Sequence, residues 1–204
     1  MSIENEIINR SQGFFPKLYS FLRFFILPIE NIDAALPRIG KIIDYGCGFG
    51  ANSCYFALSS KKRKVLGVEF SRKRVKKALV MSQGIRNLKF KQGDISKMDI
   101  GYADAHVLID VLHHIPYEKQ LILLNNIIRK MKKGDLIVIK DIDNHPYIKY
   151  LWNYLHDKVM TLNGRLYFRS QKWLEDFFNE KGLSTNVIRC ENLLYPHFII
   201  LAKK

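Results

Sequence analysis

The chain has 204 residues, 48% of them hydrophobic and 25% charged, a composition that fits one soluble globular domain better than two. Its three cysteines, Cys47, Cys54 and Cys190, form no Cys-x-x-Cys pair, so they predict a reducing compartment without a disulfide framework or a metal site. The 33 Lys and Arg outnumber the 19 Asp and Glu, and the resulting net charge of +14 would attract nucleic acid, anionic lipid or an acidic carrier. No aromatic residues interleave with the basic clusters, so we expect mainly solvated helix faces and turns.

The first 38 residues predict a helical cover segment ahead of the main domain, residues 39–204. The polar start MSIENEIINR has no signal-peptide pattern, which favours a cytoplasmic protein. The aromatic stretch Phe14–Leu27 is too short for a span of about 20 apolar residues, and Lys17 and Arg23 interrupt it. Its bulky groups predict contact with a membrane surface, aided by these two cations. Packing against the domain or against a second subunit is the alternative.

From Ile39 onward, short apolar runs alternate with helical patterns, which predicts a parallel sheet with crossover helices. Two runs at the end, STNVIRCEN and HFIILAKK, follow each other through a short connection and predict an antiparallel pair at the sheet edge. The insert over residues 143–170 is longer than a typical crossover and dense in aromatic residues, His and Arg, so we expect it to cover a site. Five further strands are predicted in KIIDYG, KVLGVEFS, LKFKQGD, AHVLIDVLHHI and DLIVIKDID.

The first strand runs into a glycine loop, KIIDYGCGFGAN. Gly46, Gly48 and Ala51 fit the dinucleotide fingerprint G-x-G-x-x-G/A, so the loop alone leaves its ligand open. Asp44 lies two residues before the first glycine. A carboxylate there would repel a pyrophosphate by about 1 kcal/mol or more in a partly desolvated site, and would attract a ligand that carries an ammonium and a sulfonium. The loop therefore favours a cationic ligand over a dinucleotide.

Further carboxylates follow later strands. Glu69 ends the second strand about 20 residues after the loop, where it can accept hydrogen bonds from ribose hydroxyls. Asp94 and Asp110 follow the third and fourth strands, and Asp94 suits an adenine amino group. Because ligands of such sheets bind at the carboxyl ends of the strands, we expect these residues to face one crevice.

Four motifs, IIDYGCGFG, GVEFS, GDI and DVLHHIP, resemble in order and spacing those of the class I S-adenosylmethionine-dependent methyltransferases. The resemblance runs from about Ile42 to Asp143, and the closing strand pair is similar to that family's reversed seventh strand. It implies an α/β fold: a Rossmann-like sandwich with a mostly parallel seven-stranded sheet, a reversed C-terminal strand and helices on both faces. The cofactor it implies is S-adenosyl-L-methionine, with S-adenosyl-L-homocysteine as product.

Carried over position by position, the resemblance implies which residues contact each part of the cofactor. Phe49 stands where the family commonly has Thr, which removes one side-chain hydrogen bond from the loop. The implied contacts are Asp44, Gly46, Cys47 and Gly48 at the methionine end, Gly50 in the turn, Glu69 on the ribose, Phe70 against the adenine, Asp94 and Ile95 at the adenine edge, and Asp110 near the methyl donor.

The motif DVLHHIP lacks the Asn-Pro-Pro-Tyr or Asp-Pro-Pro-Tyr element that resembles amino methylation of nucleic-acid bases. Its form is closer to small-molecule and lipid-quinone methyltransferases. We therefore expect methyl transfer to a small apolar or aromatic acceptor of the lipid-like, quinone-like or carrier-bound kind. One alternative is an RNA methyltransferase, which the basic surface supports. Another is a nucleotide-dependent oxidoreductase or a cofactor-binding protein without catalysis.

The candidates for handling the acceptor come from the motif DVLHHIP and from the insert. Of the adjacent His113 and His114, which point in different directions, we favour His114 in the acceptor pocket. The insert resembles the covering region of small bacterial methyltransferases whose genes accompany lipid or polyene synthesis. There His156, beside Asp157, would accept a proton, and Tyr167 or Arg169 would orient an oxyanion or carboxylate. The prediction includes no metal.

Overall fold

A computed structural model describes residues 1–11, 13–142, 165–191 and 196–204. The chain forms two compact units, Met1–Val107 (unit 1) and Leu108–Lys204 (unit 2). In the described part of the chain, no helix is both long and apolar enough to cross a membrane. The prediction of a cover segment, residues 1–38, and a single domain, residues 39–204, remains a prediction.

Unit 1 opens with three helices and continues with alternating strands and helices. The elements of unit 1 are α1 (Ile3–Arg10), α2 (Phe14–Ile26), α3 (Ile29–Ala35), β1 (Gly40–Tyr45), α4 (Ala51–Ser59), β2 (Arg63–Glu69), α5 (Arg72–Met81), β3 (Leu88–Gln92) and most of β4 (Ala105–Ile109). β2 pairs in parallel with both β1 and β3, as the alternation of apolar runs and helical patterns predicts.

Unit 2 contains the reversed strand. Its elements are a short 3-10 turn (Leu112–His114), α6 (Tyr117–Lys130), β5 (Leu136–Ile142), α7 (Gln171–Glu180), β6 (Ser184–Glu191) and β7 (Pro196–Lys203). β7 pairs antiparallel with both β5 and β6, so the closing strand pair lies at the sheet edge as predicted.

The strand order is β3-β2-β1-β4-β5-β7-β6 in one seven-stranded sheet. The predicted fold class, a mostly parallel sheet with one reversed C-terminal strand and surrounding helices, is confirmed. The interior strands β1, β4 and β5 are almost wholly buried, as near-continuous apolar runs in parallel sheets usually are. We therefore expect the polar side chains that can reach a ligand to lie at the strand ends.

A buried arginine connects the cover segment to the sheet of unit 1. Arg63, at the start of β2, is wholly buried and forms an ion pair with Asp33 of α3. Its guanidinium also donates to the Ser59 hydroxyl at 2.6 Å and to the Pro37 carbonyl at 2.8 Å. Arg63 stands in the run of cations Lys61–Lys64, one of the basic clusters that the sequence predicts to be solvated. That prediction is wrong for Arg63, because its charge is paired inside the fold.

Candidate functional site

The glycine loop adopts backbone conformations that only glycine takes up readily. Gly46, Gly48 and Gly50 have φ angles of 69°, 58° and 88°. The loop folds over the end of β2, because the N–H groups of Gly46 and Cys47 both donate to the Val68 carbonyl, at 2.7 and 3.0 Å. A Cβ on Gly50 would lie 2.7 Å from the Phe90 ring. Gly50 thus lets the loop pack closely against β3.

Asp44, at the end of β1, is a buried carboxylate directly before this loop. It is 1% exposed, and its Oδ2 accepts a hydrogen bond from the Ser53 hydroxyl at 2.6 Å. Burial raises the pKa of Asp44 to about 6; the Ser53 hydrogen bond and the charge of Arg23 lower it, whereas the charge of Glu69 raises it. Contact with a cation would stabilise the charged form of a carboxylate in this environment.

Glu69, at the end of β2, fixes the loop through backbone contacts. Its Oε2 accepts from the Gly48 N–H at 3.0 Å, and its Oε1 accepts from the Ser71 N–H at 2.8 Å. A carboxylate has about four lone-pair positions, so it can accept further hydrogen bonds while these two persist. This arrangement suits a diol whose hydroxyl groups donate to it.

The next predicted contacts lie after β2 and β3. Phe70 is 73% exposed, so its ring face is accessible to a planar partner. Asp94 uses Oδ1 to accept from both the N–H and the hydroxyl of Ser96, at 2.9 and 2.6 Å, which fixes the turn through Ile95. Its Oδ2 lies 3.8 Å from the Lys97 Nζ. Oδ2 is therefore the oxygen better placed to accept from an adenine amino group.

Asp110, in unit 2, has an unusual backbone conformation. Its φ angle is 54°, and it is the one non-glycine residue with positive φ among those described. Its N–H donates to the Lys140 carbonyl at 2.9 Å, and its Oδ1 lies 2.5 Å from the Lys140 Nζ. Left-handed backbone at a non-glycine residue costs free energy and is concentrated at functional sites. The predicted contact of Asp110 with the cofactor remains a prediction.

A buried histidine–carboxylate pair lies in unit 2, between the 3-10 turn after β4 and the end of β5. The Nδ1 of His113 lies 2.5 Å from the Oδ1 of Asp141, and both side chains are almost fully buried. The same Oδ1 accepts from the Ile142 N–H at 2.9 Å, so Nδ1 is the donor of the pair. The proton on Nδ1 leaves Nε2 as the basic nitrogen. Sequence reasoning missed this pair, because 28 residues separate its members.

The His114 ring lies 4.1 Å from the His113 ring, so the two imidazoles are in contact, whereas the sequence predicts that they point in different directions. His114 is exposed, whereas Tyr167 is half-buried and packs its ring edge-on to Tyr117 at 5.3 Å. The Tyr167 N–H donates to the His113 carbonyl at 2.8 Å. Both predicted residues therefore lie next to His113, while His156 falls outside the described residues.

Gln120 holds the end of the insert against the 3-10 turn. It is wholly buried, and its amide nitrogen donates to the carbonyls of Leu112 at 3.0 Å and Tyr167 at 2.8 Å. Its amide oxygen accepts from Arg169 at 3.1 Å. Phe168 stacks on the His113 ring at 5.0 Å. The end of the insert therefore packs on the His113 ring, which Asp141 also contacts.

These residues fit S-adenosylmethionine better than a dinucleotide. The fold of unit 1 brings Asp44 close enough to Glu69 for each negative charge to affect the other, and a pyrophosphate beside them would be repelled. A sulfonium and an ammonium would be attracted. Within the described residues, no group of three or more His, Cys, Asp or Glu could hold a metal ion.

Comparison with known proteins agrees with this geometry. The sequence matches the family model described as "Methyltransferase domain" over residues 39–182. None of the curated proteins matches it significantly.

Similar solved structures share the fold at low sequence identity. Magnesium protoporphyrin IX methyltransferase from Synechocystis PCC 6803, with bound SAH, is 19% identical and has a TM-score of 0.68 over 86% of this chain and 81% of its own. Human N-acetylserotonin methyltransferase in complex with SAM is 19% identical, with a TM-score of 0.67 over 98% and 56%. The mitomycin 7-O-methyltransferase MmcR is 17% identical, with a TM-score of 0.71 over 97% and 60%.

Proposed function

Because the chain belongs to the class I S-adenosylmethionine-dependent methyltransferases, we propose that it methylates a hydroxyl oxygen of a small apolar or aromatic acceptor. The acceptor class includes lipid-like, quinone-like and carrier-bound molecules. The observation that carries the proposal is the buried His113–Asp141 pair, which supplies a proton acceptor. S-adenosylmethionine supplies the activated methyl group.

Proton removal is what distinguishes a hydroxyl acceptor. A neutral hydroxyl is a weak nucleophile, and its oxygen must lose a proton as the new carbon–oxygen bond forms. In the proposed reaction the proton passes to the Nε2 of His113, and Asp141 stabilises the imidazolium through Nδ1. Cleavage of the bond between sulfur and methyl leaves a neutral thioether, so charge and atoms balance.

We assign the proton acceptor to His113 in preference to His114, which the motif alone favoured. The contacts of His113 with Asp141 and Phe168 support this assignment, because they fix both the tautomer and the ring plane. The roles of Tyr167 in orienting an acceptor oxygen and of His156 as a second base remain proposals.

Similar structures support a small acceptor. One of them acts on magnesium protoporphyrin IX, and another is named for the 7-O position of mitomycin. The basic surface supports RNA as the alternative acceptor. Five cations in α5 are exposed: Arg72, Lys73, Arg74, Lys76 and Lys77.

Transfer of a labelled methyl group tests this proposal. We expect label to enter small phenols, quinols or lipid hydroxyls, and to be absent when the same hydroxyl is already blocked as a methyl ether. RNA, assayed in parallel at two salt concentrations, should remain unlabelled. Label in RNA alone, falling steeply as salt increases, would establish the alternative instead.

We also propose that the outer face of α2 contacts an anionic membrane surface. Five large apolar side chains, spaced so that they form one stripe, are exposed there: Phe14, Leu18, Phe21, Leu22 and Phe25. Lys17 borders the stripe and is exposed, and the net charge of +14 favours anionic lipid. Arg23, which the sequence analysis placed on this surface, is half-buried and lies on the opposite face of the helix.

Vesicle co-sedimentation tests the membrane contact. The double variant Phe21→Ser/Phe25→Ser should bind mixed phosphatidylcholine–phosphatidylglycerol vesicles at least tenfold more weakly than the original chain, since two exposed aromatic rings no longer enter the lipid. Leu79→Ser, at an exposed apolar position on α5, is the matched control and should bind normally. If the original chain is a dimer that does not bind vesicles, and the double variant is a monomer, a second copy of the chain covers the stripe.

A further inference from the structure

The inner face of α2 carries a cation beside buried residues. Ser20 and Leu27 are buried, and Arg23 lies between them at helical spacing with its Nε shielded from solvent. The Ser20 hydroxyl lies 2.9 Å from the Ser11 hydroxyl, which follows α1. Arg23 therefore belongs to the side of α2 that packs on the rest of unit 1.

The next residue shows what this side of α2 faces. The Phe24 ring lies 6.0 Å from the Tyr55 ring of α4, the helix into which the glycine loop leads. The positive charge of Arg23 also lowers the pKa of Asp44, against the larger effect of burial. The Phe24–Tyr55 contact packs α2 against α4, and Ser53 of the same helix donates to the Asp44 carboxylate at 2.6 Å. The end of α2 therefore lies near the carboxylate in front of the glycine loop.

The methionine end of the cofactor needs both signs of charge in its site, because it carries an ammonium and a carboxylate. Asp44 suits the ammonium and would repel the carboxylate. The loop Gly46–Gly50 contains no cationic side chain, and Glu69 adds a second negative charge. A guanidinium near Asp44 completes the requirement, since its planar donors match a carboxylate in a two-point contact.

We propose that Arg23 binds the α-carboxylate of the methionine moiety of S-adenosylmethionine. This inference rests on the proposed function in that it takes S-adenosylmethionine as the cofactor. It gives the cover segment a direct part in cofactor binding: the inner face of α2 holds one end of the ligand while the outer face carries the apolar stripe. Asp44 then binds the ammonium of the amino acid, and Arg23 binds its carboxylate.

Calorimetry with two ligands tests the inference without any acceptor. The first ligand is S-adenosylmethionine, and the second is decarboxylated S-adenosylmethionine, which has the same two cations but lacks the carboxylate. The original chain should prefer the first by about tenfold or more. Arg23→Met should weaken binding of S-adenosylmethionine by about 10- to 100-fold, and binding of the decarboxylated ligand should be unchanged or tighter, because a nearby positive charge has been removed.

Two further variants separate charge from packing. Lys17→Met removes a cation from the exposed side of the same helix and should leave both affinities unchanged. Arg23→Lys should restore part of the preference for the carboxylate. Equal weakening of both ligands by Arg23→Met, or no weakening of either, would overturn the inference. If the original chain binds neither S-adenosylmethionine nor S-adenosylhomocysteine, the proposed function itself is wrong.

Discussion

Asp44→Asn is expected to weaken S-adenosylmethionine binding by about a hundredfold and, at the same time, to stabilise the ligand-free protein. Binding weakens because a charge-assisted contact with the ammonium is lost in a desolvated site, where such contacts are worth about 2–5 kcal/mol. Stability rises because burial holds the pKa of Asp44 at about 6, above its value of 3.8 in an unfolded chain. Removing the charge should therefore raise the free energy of unfolding at neutral pH, by roughly 1–3 kcal/mol.

The pH dependence follows from the same carboxyl group. Since the folded pKa exceeds the unfolded one, the stability tied to protonated Asp44 is present below about pH 4 and is lost as pH rises through 6. Cofactor binding has the opposite dependence, because it needs the carboxylate. Affinity should fall about tenfold per pH unit below pH 6, and this dependence should disappear in Asp44→Asn.

Thermal denaturation and calorimetry, each repeated from pH 5 to pH 8, measure both effects. Ser53→Ala is the matched control, because it removes the hydrogen bond to Asp44 and keeps the charge. It should raise the pKa of Asp44 further and shift the binding profile to higher pH. A loss of stability in Asp44→Asn with unchanged affinity would mean that Asp44 only supports the fold.

His113→Asn is expected to lower kcat by about 10²- to 10⁴-fold, with little change in cofactor affinity. The Asn side-chain nitrogen can still donate to Asp141 in place of Nδ1, so the pair keeps its hydrogen bond, but the basic nitrogen is gone. Asp141→Asn should lower kcat as well, because an amide stabilises the imidazolium less and no longer fixes one tautomer. The measurement is single-turnover methyl transfer to a hydroxyl acceptor across pH.

His114→Asn is the matched control for His113→Asn, since the two residues are adjacent and His114 is exposed. Its kcat should stay within a few-fold of the original. In the original chain the rate of methyl transfer should rise with pH as one base loses its proton. This rise should be absent in His113→Asn. If the rate and its pH profile change in His114→Asn alone, the motif-based assignment of His114 is correct and ours is wrong.

The strand-end positions of Asp44 and Glu69 could be predicted from the sequence. Asp44 and Glu69 follow apolar runs whose length and pattern define β1 and β2, and parallel strands bring their carboxyl ends to one edge. The glycines were equally predictable, since three of them within five residues indicate left-handed turns.

Tertiary contacts explain what the sequence could not provide. His113 and Asp141 come into contact only when unit 2 folds and brings the turn after β4 to the end of β5. No local sequence pattern predicts this contact. Arg63 looks like part of a basic cluster, yet its guanidinium meets Asp33 of a distant helix. For Arg23, a signal was present. The spacing of Ser20, Arg23 and Leu27 marks an inner face that the many aromatic residues of α2 conceal.

The central claim is that the glycine loop, with Asp44 in front of it, holds a sulfonium amino acid and not a dinucleotide. Calorimetric titration of the full chain with S-adenosylmethionine, S-adenosylhomocysteine and NAD measures this directly. We expect saturable binding of the first two and no detectable binding of NAD. Tight binding of NAD, with no response to S-adenosylmethionine or S-adenosylhomocysteine, would contradict it.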